Sequence, residues 1–281
     1  MEYLAFRFTK IKYKLPIDFN DEVKRVDPCD IEERLKDKTK AILLSGGLDS
    51  SLLAAINKPE IAYVAHFPEV EHDEVKWAKI VAEHLDIELK IIDITRNRYL
   101  STIEYLIKQK GDGLHPNEPC IYLLAFQAKK DGYDKIVLGS GADELFGGYT
   151  DLLINETKWM SDKETFMERY AYIKKDVPIP FKKWKEWGMY RFLLEIHGAG
   201  LIDRAVNACN VAGIEPIFPY LENGIPQLMW NAPIGQKIDK IILKEIANKY
   251  LPREIIYKEK VAFPTPWDIK EFMLLNKEIG W

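Results

Sequence analysis

The sequence predicts an α/β protein: a parallel, twisted sheet flanked by helices, followed by a C-terminal portion that is mainly helical. Three observations carry this expectation. Short apolar runs recur along the first half of the 281-residue chain, and helix-period patterns fill the gaps between them. After about residue 150 the strand signal fades, and amphipathic stretches broken by Pro178, Pro180, Pro216, Pro219 and Pro226 take over.

Residues 1–37 read as an N-terminal extension to a domain spanning 38–281. The alternation in Tyr3-Leu4-Ala5-Phe6-Arg7-Phe8 fits either a strand pair added to that domain or the remnant of a lost one. Ala41-Ile42-Leu43-Leu44 has the content of a buried strand and Leu52-Leu53-Ala54-Ala55-Ile56 that of a helix, so Gly46 and Gly47 mark a tight strand-to-helix junction. Further strands are expected at 61–67, 89–94 and 135–139. Between them, Trp77, Val81 and Leu85 share one helix face, and Tyr122, Ala125 and Phe126 share another within 119–130. Trp184, Trp187, Tyr190 and Phe192 read as helical core rather than as a base-stacking platform. In such a sheet, ligands gather beyond the carboxyl ends of the strands.

The junction is Ser45-Gly46-Gly47-Leu48-Asp49-Ser50-Ser51. A helix starting here offers free N–H groups and the positive end of its dipole, while the glycines and serines allow close approach and add hydroxyl donors. An anion such as phosphate suits it. Asp49 is out of place in an anion cradle unless a divalent cation comes with the phosphates, which points to a nucleotide–Mg²⁺ site. The bland alternative is a glycine turn with a capped helix. Neither the Walker pattern with its phosphate lysine nor G-x-G-x-x-G occurs at this junction.

A second stretch, Leu138-Gly139-Ser140-Gly141-Ala142-Asp143-Glu144-Leu145-Phe146-Gly147-Gly148-Tyr149, follows the last clear strand. Topology could bring Asp143 and Glu144 to the same sheet edge as Asp49, so that Asp49 and Asp143 clamp magnesium; a glycine-rich loop with solvated acids is the alternative. Gly111-Asp112-Gly113-Leu114-His115-Pro116-Asn117 reads as a loop near this face or as a plain surface turn.

A net charge of -4 and a pI near 5.9 supply no electrostatic reason for a nucleic-acid surface, so small substrates are expected. Cys29, Cys120 and Cys209 are widely spaced and lack a CxxC pair, which fits a reducing compartment rather than a disulfide framework or zinc site. His66, His72, His84, His115 and His197 show no metal-ligand spacing. Without a long apolar segment at the N-terminus or elsewhere, a cytoplasmic protein with no membrane span is expected.

The junction resembles the signature of the PP-loop ATP pyrophosphatases. Together with Gly141-Ala142-Asp143-Glu144-Leu145-Phe146-Gly147-Gly148-Tyr149, it closely resembles the synthetase domain of the asparagine synthetases. Glu215-Pro216-Ile217-Phe218-Pro219-Tyr220-Leu221-Glu222, the preceding Asp203-Arg204-Ala205, and Lys240-Ile241-Ile242-Leu243-Lys244 followed by Tyr250-Leu251-Pro252 extend the likeness. So do Lys258 and Lys260 with Phe263, giving a match over about residues 38–265 in family order.

The resemblance implies an adenine nucleotide α-hydrolase-like sheet and a ligase that uses ATP and Mg²⁺. A carboxylate becomes an acyl-adenylate with release of pyrophosphate, then an amide with ammonia or an amine. Carried over by motif, the ATP and pyrophosphate residues are Leu44, Ser45, Gly46, Gly47, Asp49, Ser50, Ser51, Phe67, Leu138, Gly139, Lys240 and Lys260. Asp49 and Asp143 are the implied metal ligands, and Lys240 and Ser140 stand at the implied catalytic positions; Glu144 or Tyr149 is a candidate to act on the amine, with a structural role for both as the alternative. By periodicity alone, Lys240 and Lys244 share a helix face away from Ile238, Ile241, Ile242 and Ile246 and read as solvated; the resemblance instead gives Lys240 the charge on the departing pyrophosphate.

Several positions depart from the pattern. With about 37 residues ahead of the first strand, the family's N-terminal glutaminase domain is expected to be lacking, and free ammonia, an amine, or a separate amidotransferase subunit is expected to supply nitrogen. Ser140 stands where asparagine synthetases carry a glutamate and the similar β-lactam synthetases a tyrosine. Ile217 and Lys244 each replace an arginine. Two rival readings are an adenylating PP-loop transferase acting on a larger acceptor such as a nucleic acid, and an idle nucleotide-binding subunit.

Overall fold

Five parallel strands form one sheet in the order β3-β2-β1-β4-β5. They are β1 (Ala41–Leu43), β2 (Ile61–His66), β3 (Glu88–Asp93), β4 (Lys135–Val137) and β5 (Glu215–Ile217). The computed structural model describes residues 12–20, 22–69, 74–111, 114–170 and 179–258. Helices α1 (Pro28–Arg34), α2 (Leu48–Asn57), α3 (Glu74–Leu85), α4 (Arg96–Lys110), α5 (Glu118–Lys130) and α6 (Ala142–Leu145) belong to the first half. In the second half lie α7 (Thr150–Ile154), α8 (Glu156–Trp159), α9 (Lys163–Tyr170), α10 (Phe181–Phe192) and α11 (Ala199–Ala212). They are followed by α12 (Ile225–Asn231), α13 (Ile234–Lys237), α14 (Ile241–Ala247) and α15 (Arg253–Ile256).

The chain lays down β1, β2 and β3 in one direction, then returns to place β4 on the other side of β1. This reversal between β1 and β4 opens a crevice beyond their carboxyl ends. Both α3 and α5 pack on β2, which is buried at five of its six positions, as a strand covered on two faces should be.

The fifth strand corrects the expectation that strands end before residue 150. Glu215-Pro216-Ile217 is too short for a period-2 pattern, and Pro216 reads as a breaker. At the sheet edge its missing N–H costs no ladder bond, while Leu138 N–H donates to Ile217 O at 2.9 Å and Glu215 N–H to Asp134 O at 2.9 Å.

The described part of the N-terminal extension contains a helix and no strand. Asp27 caps α1 by accepting from Cys29 N–H at 2.9 Å, with Pro28 at the first helical position. The alternating residues 3–8 lie outside the described residues. The extended segment before α1 is tied to the C-terminal portion: Tyr13 N–H donates to Asp203 at 2.9 Å, Trp230 Nε1 to Asn20 O at 2.7 Å, and Val26 and Gln236 bond reciprocally.

A second apolar cluster sits among α7 to α10. Phe166, Trp184 and Phe192 pack ring against ring at centroid distances of 5.0 to 5.6 Å, with Trp187 and Tyr190 at the margin. From α10 the chain runs through a π-helical segment, Leu193–Gly198, into α11. No helix among the described residues is long and apolar enough to cross a membrane.

Burial divides the thiols. Cys29 is exposed, whereas Cys120 and Cys209 are buried, which pushes both thiols up, Cys209 to about 12. Alkylation of the native protein is therefore expected to stop at one adduct, on Cys29, and to reach three only in denaturant; intact-mass spectrometry reads the count.

Candidate active site

Gly46 sits at φ +69°, and a Cβ on it would meet the backbone of Trp77 and Ala78 at 2.5 Å, so the turn after β1 is pressed onto α3. Gly47 then caps α2 in an extended conformation, and Ser45 N–H donates to Ser50 Oγ at 3.2 Å. Asp49 consequently stands in the first turn of α2 at the carboxyl end of β1. Asp143, in the first turn of α6, stands at the carboxyl end of β4. The two acids thus face the crevice at the sheet reversal.

Lys240 completes the group, from a position the helical pattern does not foretell. It lies outside α14, as the N-cap residue, with φ 53° and ψ 32°; Asp239 before it is also left-handed at φ 55°. Two consecutive non-glycine residues in this conformation carry strain of roughly 1–2 kcal/mol each. Docking of this turn on the glycine pair holds it there: Lys240 N–H donates to Phe146 O at 2.8 Å and Asp239 N–H to Gly147 O at 3.2 Å.

The solvated-lysine expectation is corrected accordingly. Lys240 is 8% exposed while Ile241, expected on the apolar face, is 51% exposed. The face that packs inward is Ile242, Leu243, Ile246 and Ala247.

Lys240 Nζ lies 2.7 and 2.5 Å from the two oxygens of Asp49 and 2.6 Å from Asp143 Oδ1. Burial opposes the charge, but the two carboxylates outweigh it and hold the ammonium above the usual lysine range. Tyr220 donates to the backbone O of Asp49 at 3.0 Å; burial, then the same two carboxylates, push its phenol well up, so it remains a donor.

In front of this group is a cavity of about 260 Å³. Leu44, Ser45, Asp49 and Ser50 line one side, and Leu138, Gly139, Ser140 and Asp143 the other. Gly46 and Gly47 shape the turn without lining the cavity. Ser51 and Phe67 are buried away from it, and Lys260 lies outside the described residues.

A second cavity of about 130 Å³ adjoins the first and shares Asn117, Ile121, Gly139, Ser140 and Asp143 with it. Its further walls include His115, Glu144, Tyr149 and Arg204. The loop before α5 therefore does border the site. It is held by buried Glu118, which accepts from His115 N–H at 2.6 Å and from Lys110 Nζ at 3.0 Å; burial raises this carboxyl against the pull of Lys110. Glu144 accepts from Tyr149 Oη at 3.0 Å, and His197 Nε2 lies 3.2 Å from the same hydroxyl.

Compared with known families, residues 31–276 match the model of the family described as asparagine synthase. The chain belongs to the asparagine synthase family. It is 26% identical over 261 residues to the asparagine synthetase [glutamine-hydrolyzing] of Asparagus officinalis, covering 83% of this chain and 40% of that one. To asparagine synthetase B [glutamine-hydrolyzing] of Escherichia coli (strain K12) it is 25% identical over 272 residues, covering 84% and 44%. The chain thus spans about two fifths of the length of these curated relatives. Among solved structures, an NMN synthetase from Francisella tularensis aligns with a TM-score of 0.33 at 14% identity, covering 67% of this chain and 93% of that one.

In this asparagine synthase-family chain, the motif residues Asp49, Asp143 and Lys240 converge, as do Ser140 and Glu144 beside them. Two further residues of the site, Tyr220 and His197, are not expected from the sequence. Tyr220 lies within the Glu215–Glu222 stretch, where a phenol is a legible signal; nothing local distinguishes His197.

Beneath the lysine turn, Lys237 is buried, donating to Trp230 O at 2.6 Å with its Nζ 4.4 Å above the Tyr190 ring. Burial pushes its ammonium down to about 8. Between about 8 and the usual lysine value of about 10.4, the unfolded chain holds the proton that the folded one has released, so stability rises with pH across that window. Relative to Lys237→Met, the wild-type Tm is expected to climb through this range. A pH-independent difference in Tm would refute the assignment.

Proposed function

We propose that this chain is an ATP-dependent carbon–nitrogen ligase that activates a carboxylate as an acyl-adenylate and then converts it to an amide. The observation that carries the reading is a buried ammonium between two carboxylates, at a sheet reversal and at the mouth of a helix N-terminus. Such a site accommodates the charge of a polyphosphate and of the cation that accompanies it.

Asp49 and Asp143 fit Mg²⁺, which is typically bound through one or two carboxylates plus substrate phosphates. When bound there, the ion would neutralise charge on phosphate oxygens.

A carboxylate oxygen attacks the α-phosphorus, forming an O–P bond as the bond to the β-phosphate oxygen breaks. Lys240 remains protonated and carries charge on the departing pyrophosphate, and the N–H groups at the start of α2 hold the phosphates. The amine nitrogen then attacks the acyl carbon and AMP leaves with the bonding electrons. Housing both steps in adjoining cavities supplies proximity and shields the adenylate from water. Ammonia or an amine is the nitrogen source, free or passed on by a separate amidotransferase subunit.

The test is release of AMP and pyrophosphate from Mg-ATP with a panel of carboxylates, aspartate included, each with and without ammonium. Carboxylate-dependent release that disappears in Asp49→Ala supports the reading. Absence of release with every carboxylate and nitrogen source would sink it.

A further inference from the structure

Ser140 lines both cavities, and a serine hydroxyl does not take up protons near neutral pH, so the amide step needs a proton acceptor elsewhere on their walls. The second cavity supplies an alternative. Tyr149 and Glu144 line it together with Ser140 and Asp143, and His197 packs against the tyrosine. The His197 and Tyr149 rings meet edge to face with centroids 5.1 Å apart. His197 Nε2 is 3.2 Å from Tyr149 Oη and 4.0 Å from Glu144 Oε1, and His197 and Glu144 are 6% and 4% exposed.

Two features of the backbone serve this arrangement. His197 lies in the π-helical segment Leu193–Gly198, a form of helix that recurs at functional sites because the extra residue per turn re-aims a side chain. The next residue is Gly198, where a Cβ would meet Glu144 Cγ at 2.6 Å, so a larger residue would force Glu144 away.

Resting on the ligase reading, we propose that Tyr149 and His197 form the proton relay of the amide step, in place of the base that Ser140 lacks. Tyr149 faces the cavity and His197 acts through it as a positioning residue and proton reservoir. As the amine nitrogen bonds to the acyl carbon, it gives up one proton to Tyr149 Oη. The tyrosine hydroxyl, which at rest donates to Glu144, turns about its C–O bond toward His197 and passes its own proton to Nε2, which accepts it when the ring's other proton is on Nδ1. The acyl carbon's bond to the adenylate oxygen then breaks and AMP departs with the electron pair; the imidazolium, beside the Glu144 carboxylate, later returns its proton to solvent.

The charged and titratable groups around the pair are Glu144 on α6, Arg204 on α11, and Asp143 and His115 on the cavity wall. On the π-helical segment itself, Glu195 pairs with Arg191 at 3.1 Å.

The experiment uses the intact chain, Mg-ATP and a carboxylate that supports pyrophosphate release, and compares His197→Gln and Tyr149→Phe with wild type in two assays. Amide formation with ammonium is expected to fall by about 100-fold in both variants, while ATP–pyrophosphate exchange falls far less. The acid limb of the amide-step pH profile should vanish in His197→Gln. Hydroxylamine, whose adduct nitrogen releases a proton to water more readily, should restore much of the rate. Equal loss in both assays, or unchanged amide formation, would overturn the relay. Should His197→Gln fail to fold, Tyr149→Phe keeps the ring contact and decides alone. Wild-type chain that shows no exchange with any carboxylate would instead overturn the ligase reading, and the relay with it.

Discussion

Lys240→Met is expected to reduce carboxylate-dependent pyrophosphate release by at least about 100-fold, the scale on which losing one preorganised charge stabiliser is felt. The same substitution should destabilise the fold by about 3 kcal/mol, because it leaves two carboxylates facing one another with their shared cation gone. The lower end of the range for broken buried pairs applies here, since Asp49 and Asp143 each keep 22% exposure of their side chains and water can partly replace the ammonium. Methionine preserves the volume and the aliphatic stem, so lost packing does not account for the change.

A divalent cation provides the discriminating readout. If Asp49 and Asp143 are the ligands, Mg²⁺ without ATP should raise the Tm of Lys240→Met more than that of wild type, where the ammonium already occupies the place between them. Thermal unfolding with and without MgCl₂ reads this directly. Equal shifts in the two proteins would argue against metal binding at this pair.

Gly147→Ala is expected to damage the fold, and Gly148→Ala the site. Gly147 has φ +67°, and a Cβ there would lie 1.6 Å from Lys237 O, a backbone atom that can yield only if the whole lysine turn moves. The left-handed conformation contributes about 1–2 kcal/mol and the overlap about 1–3 kcal/mol. At Gly148 the added atom would instead meet Asp143 Oδ1 at 1.9 Å and Lys240 Cε at 2.7 Å, both movable side chains. That variant should lose most pyrophosphate release, because the ammonium and Asp143 can no longer meet, and its Tm should fall less than that of Gly147→Ala, because Asp49 still pairs with the ammonium.

Gly213→Ala serves as the control. It also has a positive φ, +75°, yet a Cβ added there would meet nothing within 4 Å, so only the conformational cost of about 1–2 kcal/mol should appear. If Gly147→Ala proves no worse than Gly213→Ala in chemical denaturation, the lysine turn is not clamped on the glycine pair as described.

Local chemistry encodes the strands and the first turn. The strands expected at 41–44, 61–67, 89–94 and 135–139 form within one or two residues of those bounds, since apolar runs bounded by turn residues carry their own signal. The Ser45–Ser51 turn begins a helix as its glycines imply, and the match of its motifs to the asparagine synthase family is legible without coordinates.

The remaining features depend on contacts between distant parts of the chain. Residues 215–217 become a strand only because β4 offers an edge to them, one at which a proline is tolerated. Lys240 reads from its neighbours as surface, yet it is buried because Phe146 and Gly147 fix its backbone and two acids, 97 and 191 positions earlier in the chain, neutralise its charge. His197 acquires its setting from a tyrosine 48 positions away and from one extra residue in a helical turn. In each case the deciding energy is the desolvation of a polar group and its compensation by a distant partner, and no window of neighbouring residues contains both terms.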